Sequence, residues 1–141
     1  MRKADLAYVA GLFDGEGCIS IAKCKPRHPG CSPYYRLVVA VAMANEYIPR
    51  FLKFYFGGRV GKRNAPTERW RDQWQWHLGS DDAVAFLKAI LPYLKLKREE
   101  AELAIEFQSS KRVTFERKSA SALAVEEAQR LLLAELKDKS G

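Results

Sequence analysis

The chain has 141 residues, 48% of them hydrophobic and 29% charged, and its 24 Lys and Arg against 17 Asp and Glu give a formal net charge of +7 with a pI of about 9.4. The hydrophobic content excludes a disordered chain, the length suits one domain spanning residues 1–141 with a sizeable core, and no apolar run approaches the roughly 18 residues of a membrane span. The positive balance favours a polyanionic partner, and with no cleavable leader after Arg2 and Lys3 a soluble intracellular protein is expected.

Residues 6–13 read as a short helix, with Asp5 as N-cap, running into the acidic turn Asp14-Gly15-Glu16-Gly17, whose glycines supply the conformations that end a helix. Ala7 and Gly11 lie four apart on one face with Ala10 beside them, so two such helices can approach almost backbone to backbone and bring two acidic turns together. Taken alone, that turn reads equally well as the solvated cap of a core helix. Residues 18–24 alternate as a strand, with Ile19 and Ile21 on one face, Ser20 and Ala22 on the other, and Lys23 and Lys25 closing it near the surface. A Pro-rich connection follows, then a return strand over 34–42 with Leu37, Val39 and Val41 opposed to Arg36, Val38 and Ala40. Cys18, Cys24 and Cys31 are odd in number, which argues against a disulfide framework, and Cys24, His28 and Cys31 fit no common zinc spacing.

Asn45 is placed to cap a helix over 46–56 that Gly57-Gly58 stops. A second hairpin pairs 59–63 with 69–78, in which Trp70, Trp74, Trp76 and Leu78 are assigned to the core and Arg71, Gln73, Gln75 and His77 to the other face. Ser80 with Asp81 and Asp82 opens a helix that Pro92 interrupts, Leu94-Lys95-Leu96-Lys97-Arg98 leads into a helix over 99–108, and Ser119 or Ser121 starts a last one. That helix turns Leu123, Ala128, Leu131, Leu132 and Leu136 inward and frays at its Lys-Asp-Lys-Ser-Gly end.

The order α-β-β-α-β-β-α with C-terminal helices predicts an α+β fold, one four-stranded antiparallel sheet with helices on one face. The uncovered face should collect Ser20, Lys23, Lys25, Arg36, Arg59, Arg63, Arg71, Gln73, Gln75 and His77. Arg and Lys pair with guanine edges and phosphates and Gln pairs with adenine, so such a face suits a groove of double-stranded DNA, the plainer alternative being an ordinary solvated sheet face.

The stretch Val9-Ala10-Gly11-Leu12-Phe13-Asp14-Gly15-Glu16-Gly17 resembles the motif that names the LAGLIDADG homing endonucleases, with Ala10, Gly11, Leu12, Asp14 and Gly17 matching outright. The element order resembles that family's domain along nearly the whole chain. The resemblance implies that two motif helices pack at a dimer or pseudo-dimer interface, here through Ala7, Ala10 and Gly11. It also implies that the last acid of each motif, here Glu16 with Gly15 beside it, holds a divalent cation at the scissile phosphates. The family's commonest residue at that position is aspartate, and glutamate keeps the carboxylate on a longer arm. Mg2+ or Mn2+ is the implied ion, with Ca2+ binding without supporting cleavage, and no small-molecule cofactor is implied. Lys97 stands where relatives place a lysine that polarises the scissile phosphate, and Asn45 maps onto a polar residue that organises water, although helix capping would also account for it. Only one copy of the motif is present, so the resemblance implies a homodimer cutting both strands of a near-palindromic target, in a protein of intron-encoded type. The competing reading is a nucleic-acid binder that does not cleave, such as an intron maturase-like RNA binder or a DNA-binding regulator.

Overall fold

The computed structural model describes residues 1–26, 28–30, 33–65, 67–69, 71–111 and 120–140. Its elements in chain order are α1 (Lys3–Glu16), β1 (Gly17–Cys24), β2 (Tyr34–Met43), α2 (Tyr47–Phe56), β3 (Arg59–Arg63), β4 (Gln73–Gly79), α3 (Ser80–Ile90), a 3-10 turn at Leu91–Tyr93, α4 (Arg98–Ser109) and α5 (Ala120–Ser140). This is the expected αββαββα order of an α+β fold followed by helices. The four strands form one antiparallel sheet in the order β1-β2-β4-β3, so the two hairpins join through their second strands.

Side chains alternate across a strand, and the register fixes which residues share a face. Ile19 opposes Val39, Ile21 opposes Leu37, Val39 opposes Leu78 and Val41 opposes Trp76. All of these are buried beneath the helices. Each such side chain contributes about 1.5–3 kcal/mol relative to exposure. Phe86 of α3 joins the layers, with its ring edge-to-face against Phe13 of α1 at 5.3 Å, Phe56 of α2 at 4.8 Å and Trp76 of β4 at 5.1 Å. The Trp76 indole N–H donates to the Gly57 carbonyl at 2.8 Å. Gly58, at φ +91°, lies so close to β4 that a Cβ would sit 2.2 Å from the His77 carbonyl oxygen. The glycine pair that stops α2 is therefore also what lets the β3–β4 hairpin close.

Several expectations change. The motif helix is longer than residues 6–13 and absorbs the acidic turn, because neither Gly15 nor Gly17 adopts a positive φ. Gly17 is extended, and a Cβ there would meet the Phe13 ring at 2.2 Å, so close packing rather than turn geometry requires it. Asp5 lies inside the first turn and its carboxylate accepts the Arg2 N–H at 3.2 Å. Strand β4 begins at Gln73. Trp70 and Cys31 lie outside the described residues, and Trp74 is only half-buried, with the Arg50 guanidinium 5.5 Å and the Lys62 ammonium 5.9 Å from its ring centre. Helix α5 continues through the Lys-Asp-Lys segment, and it buries Leu133 and half-buries Leu123 and Leu136 while Leu131 and Leu132 stay exposed.

Candidate active site

The site forms where α1 passes directly into β1. Val9, Ala10 and Phe13 hold the inner face of α1 in the core at no more than 1% exposure, which leaves Glu16, the last helical residue, exposed at the end of the layer. Asp14, two residues earlier, is used quite differently. Its carboxylate accepts three backbone N–H groups from the segment before α4: Lys95 on Oδ2 at 2.9 Å, and Leu96 and Lys97 on Oδ1 at 3.2 and 3.0 Å. The same clamp brings the Lys97 ammonium onto the Asp14 carbonyl oxygen at 3.0 Å, a helix C-terminal carbonyl at which positive charge is favourable. Lys97 is thus fixed at the helix end that carries Glu16, held there by Asp14, an acid whose place in the turn reads from the sequence as structural.

Among the described residues Glu16 has neither a hydrogen-bond nor an ion-pair partner. A carboxylate beside exposed backbone is the hard-oxygen donor type that Mg2+ takes, and Gly15 adjoins it with nothing within 4 Å of where a Cβ would be. No group of three or more His, Cys, Asp or Glu stands together among the described residues. The donor chemistry fits a hard cation, and one chain leaves most of its coordination shell to phosphate oxygens, water or a second chain.

Behind Lys97, Glu100 occupies the first turn of α4, 3% exposed, and its Oε2 has no hydrogen-bond partner. Burial pushes its carboxyl above the ordinary carboxylate range, against the opposing charges of Lys97 and Lys137, with Asp14 adding to the rise. Lys137 of α5 lies 3.3 Å from Sγ of Cys18, the second residue of β1. Sequence analysis missed both Glu100 and Lys137: the first shows only as an acid three residues after Lys97, and nothing local distinguishes the second.

Asn45 is engaged at the start of α2, where its Oδ1 accepts the Tyr47 N–H at 2.7 Å. That bond is of the capping kind, made one residue before the N-cap Glu46.

On the uncovered side of the sheet, Ser20, Arg36, Gln73, Gln75, His77, Arg59 and Arg63 share one face: Ala22 opposes Arg36, Gly61 opposes Gln75, Arg59 opposes His77 and Arg63 opposes Gln73. No described residue of this face is buried. Lys25 and Arg71 are exposed just beyond the ends of β1 and β4. Lys23 is misplaced in the sequence-based set. It opposes the buried Tyr35 on the helix side, with its ammonium 5.9 Å from the Tyr35 ring centre and 3.9 Å from Glu127 of α5. There the Tyr35 hydroxyl donates to Glu127, which also takes the Arg130 guanidinium. Arg130 first and Tyr35 second draw the Glu127 carboxyl down to about 2.

Of the three small residues expected at a helix seam, Ala7 and Gly11 are exposed on α1, and a Cβ on Gly11 would meet nothing within 4 Å. Ala10 is fully buried in its own chain's core, packed beside Val9 and Phe13, and is not available to a partner. The exposed stripe is Ala4, Ala7, Tyr8, Gly11 and Gly15. It continues onto α2 through aromatic contacts that were not foreseen: Tyr8 meets Phe51 at 6.5 Å, Phe51 meets Tyr47 at 6.3 Å and Tyr55 at 4.8 Å, and Tyr55 meets Phe54 at 5.0 Å. Tyr47 and Phe54 are 69% and 81% exposed, an outward apolar patch where a core would bury such rings.

No protein-family model and no curated protein sequence matches the chain. Solved structures do match. The homing endonuclease I-CvuI, determined in complex with a DNA target in the presence of Mg, superposes with a TM-score of 0.81 at 22% identity over 95% of this chain and 82% of that one. The archaeal intron-encoded homing endonuclease I-Vdi141I, complexed with DNA, gives 0.73 at 13% identity over 94% and 84%. The LAGLIDADG homing endonuclease I-GzeII, also with a DNA target, gives 0.69 at 18% identity over 89% of this chain and 43% of that one. The chain has the LAGLIDADG homing-endonuclease fold. Within that fold the motif stretch 9–17 is the second half of α1 and the first residue of β1, so the residues that carried the sequence resemblance are those that join the helix layer to the sheet. Among the described residues no helix is long and apolar enough to cross a membrane.

Proposed function

We propose that the chain is one unit of a site-specific DNA endonuclease that works as a homodimer and hydrolyses both strands of a long, near-palindromic double-stranded target with Mg2+ or Mn2+. The observation that carries this is Glu16: an exposed carboxylate with no partner among the described residues, at the end of a helix that turns the small residues Ala7, Gly11 and Gly15 outward, with Lys97 fixed at the same helix end.

A second copy of the chain is the occupant this stripe favours. Small residues let two backbones come within van der Waals reach, and the exposed Tyr8 and Tyr55 rings, with the half-buried Phe51 between them, flank the seam with apolar surface that a two-fold partner would bury. Pairing across α1 sets the two Glu16 carboxylates near the axis, one for each strand. The uncovered sheet then supplies Arg36, Arg59, Arg63, Gln73, Gln75 and His77 to the groove, with Lys25 and Arg71 at its ends meeting the backbone. When bound, the cation supplies charge neutralisation at the phosphate and a more acidic water. Glu16 would hold it, with Gly15 beside it. Lys97 places positive charge against the phosphodiester, and the Asp14 clamp fixes the distance between the two groups.

The test is cleavage of a randomised double-stranded DNA library with Mg2+ and with EDTA, sequencing the cut ends. A long near-palindromic site recovered only with the metal supports the reading. Intact DNA from a protein that still retards DNA or RNA would overturn it in favour of a binder without nuclease activity.

A further inference from the structure

Gly79 closes β4 on the uncovered side of the sheet, where it opposes Val38 and alternates in step with Gln73, Gln75 and His77. Its backbone is extended, at φ −129° and ψ 162°, a conformation open to any residue. What sets glycine apart there is room: a Cβ would sit 2.6 Å from Nη2, 3.0 Å from Nε and 3.2 Å from Cζ of Arg36. The Arg36 guanidinium thus occupies the space that a side chain at residue 79 would take. Its two nitrogens are nearer than the carbon between them, so Arg36 turns its Nε–Nη2 edge to the glycine and keeps its Nη1–Nη2 end for another partner.

Arg36 is exposed and has no hydrogen-bond or ion-pair partner among the described residues. A guanidinium already placed loses less freedom when it binds, and its planar end fork matches the O6 and N7 acceptors that a guanine shows in the major groove. Its position along the sheet says which bases it would meet. Gly17, where the sheet joins α1, opposes Val41, and Gln75 opposes Ala42 beside it. Arg36 lies five residues along β2 from Val41, roughly 17 Å away at about 3.3–3.4 Å per residue.

We propose that Gly79 is a positioning residue for specificity: by leaving out a side chain it seats Arg36 to read a guanine in the outer part of each half-site, farther from the cut than the bases facing Gln75. This rests on the endonuclease reading above.

The experiment selects bound sites from a randomised double-stranded DNA library in EDTA, using the full chain as parent, Arg36→Ala, Gly79→Ala, Gly79→Ser and the double variant Arg36→Ala/Gly79→Ser. Gly79 is also the N-cap of α3, where alanine is disfavoured and serine does at least as well as glycine. Gly79→Ser should therefore melt no lower than the parent while its Cβ still displaces Arg36. The parent should enrich guanine at one outer position of each half-site by about 10- to 100-fold. Arg36→Ala and both Gly79 variants should lose that preference and keep the others, and the double variant should lose no more than Arg36→Ala. A Gly79→Ser protein that selects the outer guanine as strongly as the parent would overturn the proposal. So would a parent with no base preference there, or an Arg36→Ala protein that weakens all sequences equally while its salt slope falls by about 0.9 per chain, the mark of a phosphate contact. Adding Mg2+ to the parent on its selected site scores the endonuclease reading separately: an uncut site fails that reading, and the base preferences of the variants still decide the role of Gly79.

Discussion

The two faces of α1 are built by opposite rules. Inward, Val9, Ala10 and Phe13 are packed to 1% exposure or less, and Phe13 is pressed so closely against Gly17 that a methyl group there has no room. Outward, Ala7, Gly11 and Gly15 are exposed, and a Cβ on either glycine would meet nothing within 4 Å. The acids divide along the same line: Asp14 spends its carboxylate on three backbone N–H groups of its own chain, while Glu16 spends none. Packing within one chain accounts for the inner face completely. The outer face is the one that the proposed pairing of two chains would cover.

Substitutions can break this contrast or sharpen it. The largest effect is expected at Phe13→Ala, which empties an aromatic site between α1 and α3 and should cost about 3–5 kcal/mol in denaturant unfolding. Glu16→Gln should leave stability and DNA affinity near the parent's and slow plasmid cleavage by about a thousandfold, or roughly 4 kcal/mol of transition-state stabilisation. An undiminished rate would strip Glu16 of its role. Gly11→Leu adds bulk only to the open side. The monomer should melt as before, while sedimentation should show the dimer weakened by about a hundredfold, close to 2.7 kcal/mol; a lowered Tm without a change in assembly would mean that the outer face belongs to the chain's own packing. Asp14→Asn replaces a charged acceptor of three bonds by a neutral one, and about 1–3 kcal/mol should be lost, with hydrogen exchange rising first in residues 95–97.

The smallest effect is a pH dependence far from the motif. Glu127 sits below the ordinary glutamate range, first through Arg130 and then through Tyr35, at about 2. A depressed carboxyl stabilises the fold above its unfolded pKa of about 4.3 and loses that contribution as pH falls towards the folded value. Amide exchange in α5 should therefore accelerate between about pH 4 and 2, and Glu127→Gln should flatten that dependence. Acceleration identical in both proteins would assign it to other groups.

Much of this was legible in the residues. Period-two alternation marked β1, β2 and β4 and the buried set Ile19, Ile21, Leu37, Val39, Val41, Trp76 and Leu78, because burial on one face writes itself at alternate positions, while β3 was placed as the partner arm of a hairpin. The same rule, followed strictly, also places Lys23 with Ile19 and Ile21. The expectation failed there because a lysine at a strand end looks like surface, and its partners Tyr35 and Glu127 come from elsewhere in the chain. The four-residue spacing showed Ala7 and Gly11 on one side, but it cannot say which neighbouring alanine the core will claim, and the core claimed Ala10. What holds the site together was the least readable part. The Asp14 clamp joins groups 81 to 83 residues apart, the Lys137–Cys18 contact spans 119, and neither leaves a periodic trace.

The junction itself has a mechanical consequence. Helix α1 ends at Glu16 and β1 begins at Gly17 with no linker, so the seam helix and the sheet turn as one lever. A helix advances 1.5 Å and rotates 100° with each residue, and a single residue inserted between Phe13 and Glu16 would swing the whole sheet about the seam. In the proposed two-fold pair the gap between half-sites would then be set by this junction, and the letters read within each half-site by side chains on strands well away from it. Such a protein is free to change its vocabulary while keeping its stride.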